Sequence, residues 1–183
     1  MSADMGIELS LARTAGLTVL AEGHWPLDGD TEPPPLTGFV ASPFGPLVAA
    51  AADRCLGARF GEPPAPAEQA ERTAMVLVSR LGDMATEAEV TGSVDNGTRA
   101  SPLLFFQSVP SAVLGVVSAQ WGLGGPVICT SPQGDALADG MDLTRLLLAD
   151  GSADLVLVVT VELAVDGLGE DRAHALLLGS GGA

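Results

Sequence analysis

Apolar residues along this chain fall into compact runs separated by polar, proline-rich or glycine-rich stretches. The run at 155–163 (LVLVVTVEL) is apolar at almost every position, which predicts a strand buried on both faces. Residues 73–79 (TAMVLVS) read the same way. Shorter strands are expected at 126–130 and 172–178, the latter leading into a glycine tail. The segment 7–25 contains LTVLAEGHWP, a strand leaving into a turn. Elsewhere the period lengthens. Residues 46–56 (PLVAAAADRCL) predict a helix, with Pro46 suited to its first turn and Gly57 to its end. A turn at 80–83 leads into a helix over 84–90. Residues 135–149 predict an amphipathic helix whose dipole favours Asp135 near its start. Residues 112–121 are apolar on nearly every face, as in a central helix or one at an interface. Proline clusters make loops of 28–35 and 61–66, and polar residues make one of 93–100. This alternation predicts a layered α/β domain, a mostly parallel central sheet flanked by helices.

Length and charge narrow the picture. A chain of 183 residues fits one domain over 1–183 and can bury roughly two-thirds of its unfolded surface. The hydrophobic fraction is 47% but the aromatic share only 4%, so Ala, Val and Leu must do the packing. The net charge is −15 and all eight cations are arginine. Such a surface repels nucleic acid and anionic membranes, and it makes a poor main dock for an acidic carrier protein. A basic partner subunit suits it better. No stretch approaches the roughly 20 apolar residues of a membrane span. The N-terminal MSADMGIELSL lacks a basic segment followed by a long apolar run, so a cytoplasmic protein with reduced thiols is expected.

Few residues offer chemistry. Cys129 falls inside a short strand and reads as a small buried hydrophobe. Cys55 sits near the end of the first helix, where the dipole opposes a thiolate. His24 reads as a turn residue and His174 as part of the last strand, and the two make no metal site. Gly122, Gly124 and Gly125 form no phosphate loop; a tight helix-to-strand turn accounts for them. Asp135, Asp139 and Asp142 have helical spacing, and the last two read as a solvated face. No metal or cofactor is expected.

The order of features from Ser101 to Glu162 resembles the N-terminal half of the β-ketoacyl synthases, the condensing enzymes of the thiolase fold. The features are Ser101-Pro102 before an aromatic pair, the apolar helix, Gly122-Leu123-Gly124-Gly125-Pro126 and the strand 127–130. A helix, Gly151-Ser152-Ala153-Asp154 and a strand ending in Glu162 follow. Upstream, Ser79-Arg80-Leu81-Gly82-Asp83 fits the segment after an earlier strand of the family. The resemblance implies a thiolase-like half fold. It also locates the family's nucleophilic cysteine: counting back from Gly151 without gaps puts Gly134 there, and a slip of one residue puts Gln133 there. Neither can form an acyl intermediate. The family's catalytic histidines belong to a C-terminal half that would lie beyond Ala183.

The resemblance therefore implies a catalytically silent subunit of chain-length-factor type. It would pair with an active ketosynthase in a heterodimer or higher complex for polyketide, polyene or fatty-acid-like biosynthesis, and meet an acyl carrier protein only indirectly. Leu103, Leu104, Phe105, Phe106, Gln107 and Ser111 fall where the family forms its dimer interface and reaches into a neighbour's acyl tunnel. Two other readings stand beside it. One is a small acyltransferase or hydrolase using Cys129 or Ser131; the other is a homodimeric scaffold without an acyl ligand.

Overall fold

The computed structural model describes residues 10–12, 14–99, 101–164 and 169–181. Ile7, Ala100 and the end of the glycine tail lie outside them. Among the described residues the strands are β1 (Leu17–Trp25), β2 (Thr73–Val78), β3 (Val127–Thr130), β4 (Leu155–Glu162) and β5 (Arg172–Ser180). The helices are α1 (Phe44–Phe60), α2 (Ala67–Ala70), α3 (Met84–Asp95), α4 (Pro102–Ser108), α5 (Ser111–Trp121) and α6 (Ala136–Ala149).

The strands form one mixed sheet in the order β1-β5-β4-β2-β3. β2 pairs in parallel with both β3 and β4, while β5 runs antiparallel to its neighbours β4 and β1. Four strands thus point one way, and only β5 is reversed. Every residue of β2 is buried, and β4 is nearly so, as their unbroken apolar runs require of strands covered on both faces.

Successive side chains in a strand point to opposite faces, and here they sort into two cores. Met75, Leu77, Leu157, Val159, Ala175 and Leu177 pack with α1 and α5. Ala74, Val76, Val78, Val156, Val158 and Leu178 pack with Met141 and Leu147 of α6. The result is three layers, with α1 and α5 on one side of the sheet and α6 on the other. Small side chains bring α1 close. A Cβ on Gly23 of β1 would lie 2.3 Å from the Cys55 nitrogen and 2.4 Å from the Ala51 oxygen, so the strand backbone rests on the helix. Trp121 of α5 donates from Nε1 to Asp53 of α1 at 2.7 Å, joining the two helices.

Several elements depart from expectation. α1 runs beyond both ends of 46–56, and α3 continues past Val90 to Asp95, into the start of the polar stretch expected as loop. Residues 102–108 form a helix because Ser101 caps it, accepting from the Leu103 N–H at 3.2 Å, and Pro102 opens it. α5 is not buried all round. Val113, Leu114, Val117 and Trp121 face inward, while Ser111, Gly115, Ala119 and Gln120 are exposed. The glycines after α5 do make the expected tight turn. Gly122 has φ 73°, and a Cβ on Gly125 would lie 2.5 Å from the Thr73 oxygen. Among the described residues no single helix is long and apolar enough to cross a membrane; α4 and α5 meet at 85°.

Candidate functional site

In sheets of parallel strands, ligands favour the crevice beyond the carboxyl ends of the strands. Here β2 and β3 end side by side, and Ser79 N–H donates to Thr130 O at 3.1 Å to hold them together. Between the segments that leave them, and against Pro110 at the α4–α5 junction, lies a cavity of about 270 Å³. Its lining includes Leu77, Arg80, Leu81, Glu87, Cys129 and Ser131. A wider recess, about 450 Å³, opens on the outer face of α6 among Asp142, Arg145, Leu146 and Ala149. That recess touches neither strand end, so the smaller cavity is the candidate site.

The wall of the cavity is built by capped turns. After β2, the buried Asp83 caps α3 by accepting from Thr86 N–H at 3.1 Å and Thr86 Oγ1 at 2.7 Å. Ser79 Oγ accepts from Gly82 N–H at 3.1 Å. After β3, Ser131 Oγ donates to Ser79 O at 3.2 Å. Arg80 donates from Nη2 to Gly134 O at 3.0 Å, so the two turns are stitched to each other. Asp135 caps α6 by accepting from Ala138 N–H at 2.8 Å. Gln133 N–H donates to Asp139 Oδ2 at 2.7 Å. Asp139 is therefore not part of a merely solvated face: it reaches back over the turn and closes it. Asp142 does face outward, 3.5 Å from Arg145.

Gln133 and Gly134 are exposed in the turn between β3 and α6. β3 is the outermost strand of the sheet, and this overturns the expectation for Cys129. The residue is exposed, because β3 has a neighbour on one side only. Its surroundings are still apolar enough for burial to push the thiol's pKa up, away from the thiolate. Cys55 is fully buried under β1. Burial pushes its thiol up to about 12; the Leu177 backbone contact pulls the other way, and the charge of Glu22 adds to the rise.

Sequence reading kept the histidines apart, and the fold brings them together. His24 lies in β1, not in a turn, and faces His174 directly across the β1–β5 ladder, with ring centroids 6.5 Å apart. His174 Nε2 also lies 3.2 Å from Glu22 Oε1. No group of three metal-ligating side chains occurs among the described residues. β5 is three strand spacings from β3, about 14 Å, so His174 is out of hydrogen-bonding reach of Cys129 and Ser131.

The interface residues divide by burial. Leu103, Phe105 and Phe106 are exposed by 43%, 54% and 48%, Leu104 is half-buried, and Ser111 is exposed. Gln107 is buried and occupied. Its Oε1 accepts from the N–H of Val40 at 2.8 Å and of Ala41 at 3.0 Å, and its Nε2 donates to Leu103 O at 3.3 Å. The apolar α4 face and the cavity adjoin through Val109 and Pro110. Sequence reading missed the cavity itself, above all the contributions of Arg80, Leu81 and Pro110. The resemblance of 79–83 to a post-strand segment was the one signal for it.

Comparison with known proteins agrees with this arrangement. The family model for the β-ketoacyl synthase N-terminal domain matches residues 65–175, more than half of the chain. The chain belongs to this family. Its fold is shared by a ketosynthase solved in complex with its chain length factor from Xenorhabdus doucetiae. There the TM-score is 0.67 at 17% identity, over 92% of this chain and 80% of that one. A β-ketoacyl synthase from Burkholderia phymatum gives 0.70 at 12% identity, over 90% of this chain and 59% of that one. The ishigamide ketosynthase/chain length factor gives 0.61 at 16% identity, over 78% of this chain and 44% of that one. The chain thus spans four-fifths of the first and roughly half of the other two. At these identities the likeness is one of fold. No curated protein matches the chain. The three-layered fold is that of the ketosynthase family.

Proposed function

We propose that this chain is a non-catalytic ketosynthase-like subunit of chain-length-factor type. It pairs with an active ketosynthase in polyketide, polyene or fatty-acid-like biosynthesis, steadies that partner and bounds its acyl tunnel. The observation that carries this reading is the turn between β3 and α6. It joins a strand to a capped helix, and the positions that the resemblance gives to the family's nucleophile are Gln133 and Gly134, without a thiol. Decarboxylative condensation through a thioester needs a thiolate there. Both cysteines have their pKa raised, and neither sits in that turn.

Two surfaces support pairing. The Pro126 and Thr130 carbonyls accept from β2, so by alternation the backbone groups of Val127 and Cys129 point away from the sheet. That unpaired edge can accept another strand. The exposed Leu103, Phe105, Phe106 and Val109 provide an apolar face beside it. The cavity next to the turn, walled by Leu77 and Leu81, then forms the part of the tunnel that this chain supplies.

The test is co-expression with a candidate partner ketosynthase, followed by analysis of product length. Leu81→Ala enlarges the cavity and is expected to lengthen the product, while Phe106→Ala tests the outer α4 face in the same way. Co-purification without any change of length from either variant would leave pairing standing and remove the tunnel role. Failure to co-purify with any ketosynthase would remove both. Cys129 and Ser131 share the cavity, so an acyl label found on either one would favour the acyltransferase reading instead.

A further inference from the structure

Loss of a cysteine is one way to silence a condensing-enzyme turn; this chain carries a second. The first turn of a helix offers free N–H groups and the positive end of the dipole, which is what lowers the pKa of a thiol placed there. Here two amides are already held, one just before the helix and one in its first turn. Gln133 N–H is held by Asp139 Oδ2 at 2.7 Å, the length of a strong charge-assisted bond. Ala138 N–H is held by Asp135 at 2.8 Å. Two carboxylates therefore stand at the start of α6 against the half-positive charge of its dipole. Arg80, which lines the cavity, donates to Gly134 O, and Glu87 on α3 lines the same cavity. Asp142, one turn further along α6, points outward beside Arg145. Cys129 on β3 is the remaining titratable group lining the cavity.

We propose that Asp139 is a positioning residue that locks the β3–α6 turn. By holding the Gln133 amide and placing a negative charge at the helix start, it leaves the turn unable to stabilise an anion, so restoring a thiol at position 134 does not restore a reactive thiolate. The inference rests on reading Gly134 as the vacated nucleophile position, but it concerns this chain alone and its test needs no partner.

A side chain fits at the site, since nothing lies within 4 Å of a Cβ built on Gly134. The full chain carrying Gly134→Cys and Cys129→Ser leaves Cys55 as the other thiol, and that one is buried. Alkylation by iodoacetamide is followed as a function of pH. The introduced thiol is expected to behave as an ordinary one, with a midpoint at or above about 8.5. Adding Asp139→Asn is expected to raise the alkylation rate at pH 7 by about three- to tenfold, through a midpoint lowered by roughly 0.5 to 1. Asp142→Asn removes the same charge outside the turn and is expected to change the rate less than about twofold.

A midpoint already well below 8, no response to Asp139→Asn, or an equal response to Asp142→Asn would each overturn the proposal. The wild-type chain provides a check independent of any variant. In its NMR spectrum the Gln133 amide shift should follow the titration of Asp139, and an amide that ignores that titration would contradict the lock. Loss of ketosynthase pairing would leave all these outcomes unchanged.

Discussion

The side-chain oxygen of Gln107 receives two backbone N–H groups from the segment leading into α1, and its amide returns to the carbonyl of Leu103. Replacing it with leucine leaves those N–H groups without their acceptor in a part-buried site. Gln107→Leu should lower stability by about 1–3 kcal/mol in chemical denaturation. Phe105→Ala, two residues away on the exposed face, should stay within about 0.5 kcal/mol. Equal losses would mean that α4 is held by its apolar face and not by this amide. Gly23→Ala is expected to be worse, at about 2 kcal/mol or more, because its Cβ would meet α1 backbone at 2.3 Å. At this scale the sequence was least informative. Gln107 and Asp139 sit at helical positions that read as an interface residue and a solvated carboxylate, and only the distant backbone amides they reach reveal their work. Asp135 was legible because its partner, Ala138, lies three residues away.

The same division holds among the elements. β2 and β4 could be read directly, since burial on both faces demands unbroken apolar runs. β3 could be found but not placed. Four apolar or small residues look alike in a central strand and an outer one, so Cys129 was expected to be buried and is exposed. The histidine pair was hidden for a related reason: it forms only when β1, near the start of the chain, closes against β5 near its end. A prediction belongs to this scale as well. Val127→Pro removes an N–H that points away from β2, which an outer strand tolerates. The variant should keep its circular dichroism spectrum and lose association with the proposed ketosynthase partner. Retained association would move the pairing surface from β3 to the α4 face.

The whole molecule carries 23 acidic side chains against eight arginines. Three of the carboxyl groups have their pKa held below the usual range: Asp154 by the Arg72 guanidinium, Asp30 by Arg54 and the Leu27 amide, and Asp150 by the Ser152 hydroxyl and amide. A carboxyl group whose folded pKa lies below its unfolded value stabilises the fold above the unfolded value, about 4, and loses that contribution as pH falls further. The thermal midpoint should therefore decline as pH drops below about 4, most visibly through the Arg72–Asp154 bridge between the start of β2 and the start of β4. A midpoint that rose over that window would contradict the assignment. The central claim at this scale is a ketosynthase fold without its own covalent chemistry. Native mass spectrometry of the chain co-expressed with a ketosynthase and offered an acyl thioester tests it most directly. The account predicts a stoichiometric complex with the acyl mass on the partner alone. An acyl adduct on this chain, or its appearance only as a free species, would contradict it.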